Sequence, residues 1–242
     1  MNQLISEWES KNSFARGSIF SAVKFGGSTS TGAWARLERG ELTLEEFYEP
    51  FAGEVTALAG PGKEPVSPEV VREFMENLMS GLNRTDPDMM EAVDKLKEAG
   101  LKLAVLTNNW KSDKSGRLIF EEVDKFDHVV ESCMVGMRKP EEGIYKHTLD
   151  VMGVDAEEAV FLDDIAGNLK PAQNLGISTI KVNDVNSALV ELQSVVNVDL
   201  GATPGTSRIR KGMEIDQERL QQYLKEKLNI AGGKEGLSSQ FH

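Results

Sequence analysis

FLDDIAGNLKPA, residues 161–172, passes from an apolar run into two adjacent carboxylates, Asp163 and Asp164, and then directly into a helix-like segment. Two like charges at the end of a buried strand repel each other, so a cation is expected beside them. The same rhythm recurs on both sides of this stretch, starting near residue 84. DPDMMEAVDKLKEAG predicts a helix with Asp86 as N-cap, Pro87 in its first turn and Gly100 as its stop. LKLAVLTNN, FDHVVESC and ISTIKV are further short apolar runs, interleaved with the amphipathic segments EEGIYKHTLDVMG, GNLKPAQNLG and VNSALVELQSVV. Short apolar runs alternating with amphipathic helices predict an α/β fold, a Rossmann-like parallel sheet with right-handed crossovers.

Upstream, residues 1–83 lack this alternation and read as helices. Leu44, Phe47, Phe51, Val55 and Leu58 recur at helical spacing, and Thr43 followed by Glu46 has the capping-box pattern. GPGKEPVSP, residues 60–68, ends that helix, and Ser67 caps the next, PEVVREFMENLMSGL. Downstream, GATPGTSRIRKG is linker-like, and IDQERLQQYLKEKL places Leu220, Tyr223, Leu224 and Leu228 on one helical face. The expected organisation is a helical unit over 1–83, an α/β core over 84–196, and a linker with one amphipathic helix over 197–242.

The formal charge of −12 on 242 residues disfavours nucleic acid or an anionic membrane as partner, since both are polyanions. A phosphorylated small molecule remains compatible, because a local cation overrides the global field. One cysteine, Cys133, gives no disulfide framework; it falls at the end of a predicted strand and reads as a small core residue. No apolar run has the length of a bilayer span, and the amino-terminal residues resemble neither a signal nor a transit peptide. A soluble chain in a reducing compartment, cytoplasmic by default, is expected. His128, His147 and His242 lack metal-ligand spacing. SRIRK, residues 207–211, reads as solvated linker, and no glycine-rich dinucleotide fingerprint follows any strand.

In a parallel sheet, ligands bind beyond the carboxyl ends of the strands. There, Thr107, Asn108 and Asn109 offer a hydroxyl, amides and backbone N–H groups suited to phosphate oxygens. Asp163 and Asp164 are hard oxygen donors of the kind Mg²⁺ takes alongside water and substrate phosphate. Lys139, in GMRKPEEGIY, is placed to neutralise both a phosphoryl group and the carboxylates. Each feature alone has a plainer explanation: turn chemistry, a helix cap, a solvated lysine. Their order at the mouths of successive strands is what turns them into a candidate site.

LTNNW, ESCMVGMRKPEEGIYK and FLDDIAGNLKPAQNLGISTIKV together resemble the haloacid-dehalogenase-like hydrolases, in particular the phosphatase domains that begin soluble epoxide hydrolases. The resemblance runs from about residue 5 to 195. It implies a Rossmann-like core under an α-helical cap that contains Trp34 and selects the substrate. It also implies an Mg²⁺-dependent phosphomonoesterase acting on a small phosphorylated molecule. By resemblance, Thr107 and Asn108 bind phosphoryl oxygens, Lys139 balances charge, and Asp163 and Asp164 hold Mg²⁺. The family's nucleophile, the first Asp of an Asp-x-Asp ending the central first strand, has no counterpart here. The only lookalike, KFGGS at residues 24–28, has Lys24 where an Asp would be required and by position reads as a loop of the helical cap, and Asp86 and Asp88 read as a helix cap. The expectation is therefore a core lacking its central first strand, catalytically inert by itself and less stable than complete relatives. The tail resembles the segment leading to a kinase-like domain in multidomain proteins that also carry an acyl-CoA dehydrogenase domain. That suggests a fragment or short isoform, mitochondrial or peroxisomal if it follows such relatives. The alternative is a non-catalytic binding module derived from the hydrolase fold.

Overall fold

The computed structural model describes residues 2–11, 14, 17, 19, 22–23, 31–59, 64–82, 85–111 and 121–205. Met1–Pro204 form one compact unit and Gly205–His242 a second. The tail helix expected from Leu220 to Leu228, the KFGGS segment and His242 lie outside the described residues.

Among the described residues, four helices build the amino-terminal cap: α1 (Asn2–Lys11), α2 (Ala33–Glu38), α3 (Leu44–Ala59) and α4 (Pro68–Leu82). α3 begins where the capping box places it. The Thr43 hydroxyl accepts from Glu46 N–H at 3.2 Å, and the Glu46 carboxylate accepts from Thr43 N–H at 2.9 Å. Its buried face is Leu44, Phe47, Phe51 and Val55. Leu58, expected on that face, keeps the helical spacing but is exposed in the last turn of the helix. Trp34 of α2 packs against Phe47 and Phe51 at 5.8 and 5.7 Å between ring centroids, and Trp8 of α1 meets Phe74 of α4 at 5.2 Å. Each such side chain contributes about 2–3 kcal/mol by leaving water.

The α/β part follows in the order α5 (Pro87–Glu98), β1 (Ala104–Thr107), β2 (His128–Glu131), α6 (Ser132–Val135), α7 (Glu142–Met152), β3 (Val160–Asp163), α8 (Ala166–Asn174), β4 (Ser178–Lys181) and α9 (Val185–Val196). Asp86 caps α5 by accepting from the N–H groups of Asp88 and Met89, and Gly100 ends it at φ +81°. Cys133, expected at a strand end, lies in the short helix α6 and is buried there. The α/β packing also reaches past residue 196, since Leu200 and Ala202 are buried against α5 and α9.

The four strands form two separate parallel ladders among the described residues, β1 with β2 and β3 with β4. Alternate side chains of β3 enter opposite layers: Val160 and Leu162 pack with α5 and α9, and Phe161 packs with α7 and α8. A parallel strand covered on both faces is ordinarily fully buried. Here β1 is half-buried at all four positions and β3 at three of its four. Both strands are thus less covered than is ordinary for a parallel sheet.

The cap meets the core where α2 ends. Gly40, at φ +69°, lies so close to α6 that a Cβ there would sit 2.3 Å from the Cys133 carbonyl oxygen. Both the backbone conformation and the contact exclude a side chain. Gly40→Ala is expected to cost more than about 1 kcal/mol, read as a lower urea midpoint with an unchanged m-value.

Candidate active site

The carboxyl ends of both ladders meet at the loop that follows α6. β1 ends in Thr107, and the next residue, Asn108, grips this loop with its side-chain amide. Its Nδ2 donates to the Lys139 carbonyl at 2.9 Å, and its Oδ1 accepts from Lys139 N–H at 2.8 Å. The loop so held aims the Lys139 amine at the end of β3, where Nζ donates to Asp163 Oδ2 at 2.7 Å. The pair is buried, with side-chain exposures of 12% and 5%. Asp163 also accepts from Ile165 N–H at 2.7 Å and from Asn168 Nδ2 at 3.1 and 3.0 Å. The cation required beside the two acids is therefore, for Asp163, a lysine 24 residues upstream. Asp164 is exposed, and its carbonyl accepts from Lys181 Nζ at 2.9 Å.

The structure thus brings Lys139 onto Asp163, with Asn108 bracing the lysine and Thr107 one residue before Asn108. The Asn108 side chain is committed to the Lys139 backbone, with a longer contact to Glu38. Asn109 is a structural residue. Its N–H donates to the Ser132 hydroxyl at 3.0 Å, and its amide donates to Glu131 at 2.9 Å. His128 and His147 are half-buried, and no group of three His, Cys, Asp or Glu side chains suits a metal among the described residues. Two carboxylates and no enclosing cage match the needs of Mg²⁺, which keeps water and binds substrate oxygens, better than those of a structural zinc.

Several participants have little or no signal in the sequence. Glu38, at the end of α2, is buried and accepts from Arg138 Nε at 2.5 Å, from Trp34 Nε1 at 2.9 Å and from Asn108 at 3.4 Å. Burial holds its carboxyl above the ordinary 4.5, outweighing the opposing pull of Arg138, Trp34 and Lys139. Arg39 bonds Glu141 at 3.0 Å, and Glu141 accepts from Arg138 N–H at 3.1 Å. The lysine loop is therefore gripped by the cap through both residues adjoining Lys139 and Pro140. Tyr145 donates to the Asn168 carbonyl at 2.7 Å, and burial with the nearby Asp163 charge pushes its phenol up, so that it remains a donor. Asn168 could have been suspected from its place in the first turn after the acids. Glu38 could not, because its partner lies 100 residues away.

Against known families, residues 3–176 match the haloacid dehalogenase-like hydrolases, and the chain belongs to that family. It is 36% identical over 220 residues to acyl-CoA dehydrogenase family member 10 of Mus musculus, covering 90% of this chain and 20% of that protein. It is 37% identical over 203 residues to bifunctional epoxide hydrolase 2 of Sus scrofa, covering 81% of this chain and 36% of that protein. The chain thus spans about a fifth to a third of the length of these relatives. A 28% identity over 164 residues links it to the sesquiterpene phosphatase astK of Aspergillus oryzae, across 67% of this chain and 79% of that one. A HAD-like family hydrolase from Porphyromonas gingivalis shares the fold, with a TM-score of 0.50 at 22% identity over 74% of this chain and 89% of the other.

Two outcomes are expected. Lys139→Met leaves a buried carboxylate without its cation and costs about 3–5 kcal/mol, whereas adding Asp163→Asn recovers most of that loss in a double-mutant cycle by urea unfolding. For Glu38, a carboxyl held higher in the folded state binds its proton there first. Its contribution to stability therefore declines as pH rises above 4.5 and levels off beyond the raised folded value. The stability difference between the native chain and Glu38→Gln, followed from pH 4 to 7, should shrink as pH rises.

Proposed function

We propose that Thr107, Asn108, Lys139, Asp163 and Asp164 are the phosphoryl- and Mg²⁺-binding part of a phosphomonoester hydrolase site. The supporting observation is the buried Lys139–Asp163 pair, 2.7 Å apart at the joint mouth of two parallel ladders, beside an exposed second carboxylate. Phosphoryl transfer depends on neutralising the equatorial oxygens and fixing their position. In this reading the Thr107 hydroxyl and the backbone N–H of Asn108 take phosphate oxygens, and Lys139 balances their charge. Asp164, with Asp163, would hold Mg²⁺, which when bound supplies positive charge against the phosphate. The helical cap above α6 limits access, which favours a small phosphorylated substrate.

No Asp-x-Asp ends an apolar run in the sequence, and the Asp86–Asp88 pair caps α5. A lysine or threonine cannot replace an attacking carboxylate in forming an acyl-phosphate. The 242-residue chain by itself is accordingly a binding half-site that performs no turnover. This same absence favours a second reading, a non-catalytic module. As part of a longer polypeptide, its covalent neighbours would be kinase-like and acyl-CoA dehydrogenase domains.

Calorimetry with orthophosphate, with and without Mg²⁺, tests the site, and p-nitrophenyl phosphate tests turnover. Phosphate is expected to bind more tightly with Mg²⁺, Asp164→Ala to lower Mg²⁺ affinity at least about tenfold, and hydrolysis to stay at background. Robust hydrolysis overturns the inert reading. Phosphate binding that ignores Mg²⁺, or fails altogether, overturns the site and leaves the module reading.

A further inference from the structure

The acid that ends α2, Glu38, reaches the lysine loop from two sides. Its Oε2 accepts from Arg138 Nε at 2.5 Å and from Asn108 Nδ2 at 3.4 Å. Arg138 directly precedes Lys139, and the Asn108 amide bonds both the N–H and the carbonyl of Lys139. One carboxylate oxygen thus ties together the two groups that fix the lysine backbone. The other oxygen accepts from Trp34 Nε1 at 2.9 Å, and Trp34 packs against Phe47, Phe51 and Trp110 in the aromatic core of the cap. Docking of the cap does not by itself account for this arrangement. Gly40 already lies against the Cys133 carbonyl, and Arg39 bonds the more exposed Glu141. A buried carboxylate is costly to desolvate, and apolar side chains in place of a buried ion pair are often as stable or more so.

We infer that Glu38 is a positioning residue: through Arg138 and Asn108 it holds Lys139 where the amine meets Asp163 and an incoming phosphoryl group. Phosphate affinity then depends on a cap residue that does not itself touch phosphate. The effect on phosphate rests on the site reading proposed above, whereas the placement of the amine is measured separately. Position and charge make opposite demands here, which lets them be told apart. A carboxylate near the site repels phosphate, so by its field alone Glu38→Gln tightens phosphate binding. Loss of positioning weakens it, because a neutral amide holds a guanidinium less firmly than a carboxylate does. Arg138→Met gives the same contrast at the amine. An amine that loses a cationic neighbour keeps its proton more firmly and acylates more slowly, whereas an amine released from Asp163 acylates faster.

The test compares the 242-residue chain with Glu38→Gln, Arg138→Met, the double variant, and Phe74→Leu, which trims the cap core at its Trp8 contact. Calorimetry gives the affinity for orthophosphate with Mg²⁺. Mass spectrometry gives the rate at which acetic anhydride acetylates Lys139, with the exposed Lys146 as internal reference. Each of the two loop variants is expected to weaken phosphate at least about fivefold and to speed Lys139 acetylation at least about tenfold. The double variant should match the worse single one instead of their product, and Phe74→Leu should leave both readouts unchanged. Tighter phosphate in Glu38→Gln, or slower Lys139 acetylation in Arg138→Met, would reveal a field effect and overturn the positioning role. Unchanged values in both variants, or equal changes in Phe74→Leu, would overturn it too. If the native chain binds no phosphate, the site reading fails, and the acetylation rates alone decide whether Glu38 places the amine.

Discussion

The buried ion pair between Lys139 and Asp163 joins the two halves of the α/β core. One partner stands on the loop after β2, and the other ends β3, in the opposite ladder. With no strand bonding β1 to β3 among the described residues, this contact and the helices on either face must hold the halves in register. A charge pair so poorly hydrated is costly unless every lone pair is met. Here the Ile165 N–H, the Asn168 amide and the Lys139 amine all donate to the Asp163 carboxylate.

The segment LTNNW shows how site and cap are built as one object. Thr107 finishes the strand, Asn108 fixes the lysine loop, Asn109 locks onto Glu131 and Ser132, and Trp110 is buried among the cap aromatics, 5.9 Å from Trp34. The cap answers through Glu38 and Arg39, whose partners Arg138 and Glu141 bracket Lys139. Movement of α2 would therefore be felt at the lysine through two ion pairs.

Helix boundaries were largely legible because their causes are local. Thr43 with Glu46, and the Asp86 carboxylate, satisfy backbone donors within three residues of themselves. The four short apolar runs became strands for a similarly local reason, β-branched and aromatic residues bounded by turns. Leu58 and Cys133 show where periodicity fails. The stripe of α3 gives out in its last turn, and the chain after β2 curls into a helix to meet the cap.

The candidate acids, the lysine and the threonine were named from residue type and order, because strand ends collect ligands in any parallel sheet. Their composition also implied that a cation must stand beside Asp163. Which cation, and which residues hold it, was settled by contacts between positions 24, 31 and 100 residues apart. Pairing at such separations depends on how helices and ladders stack, which no local pattern encodes.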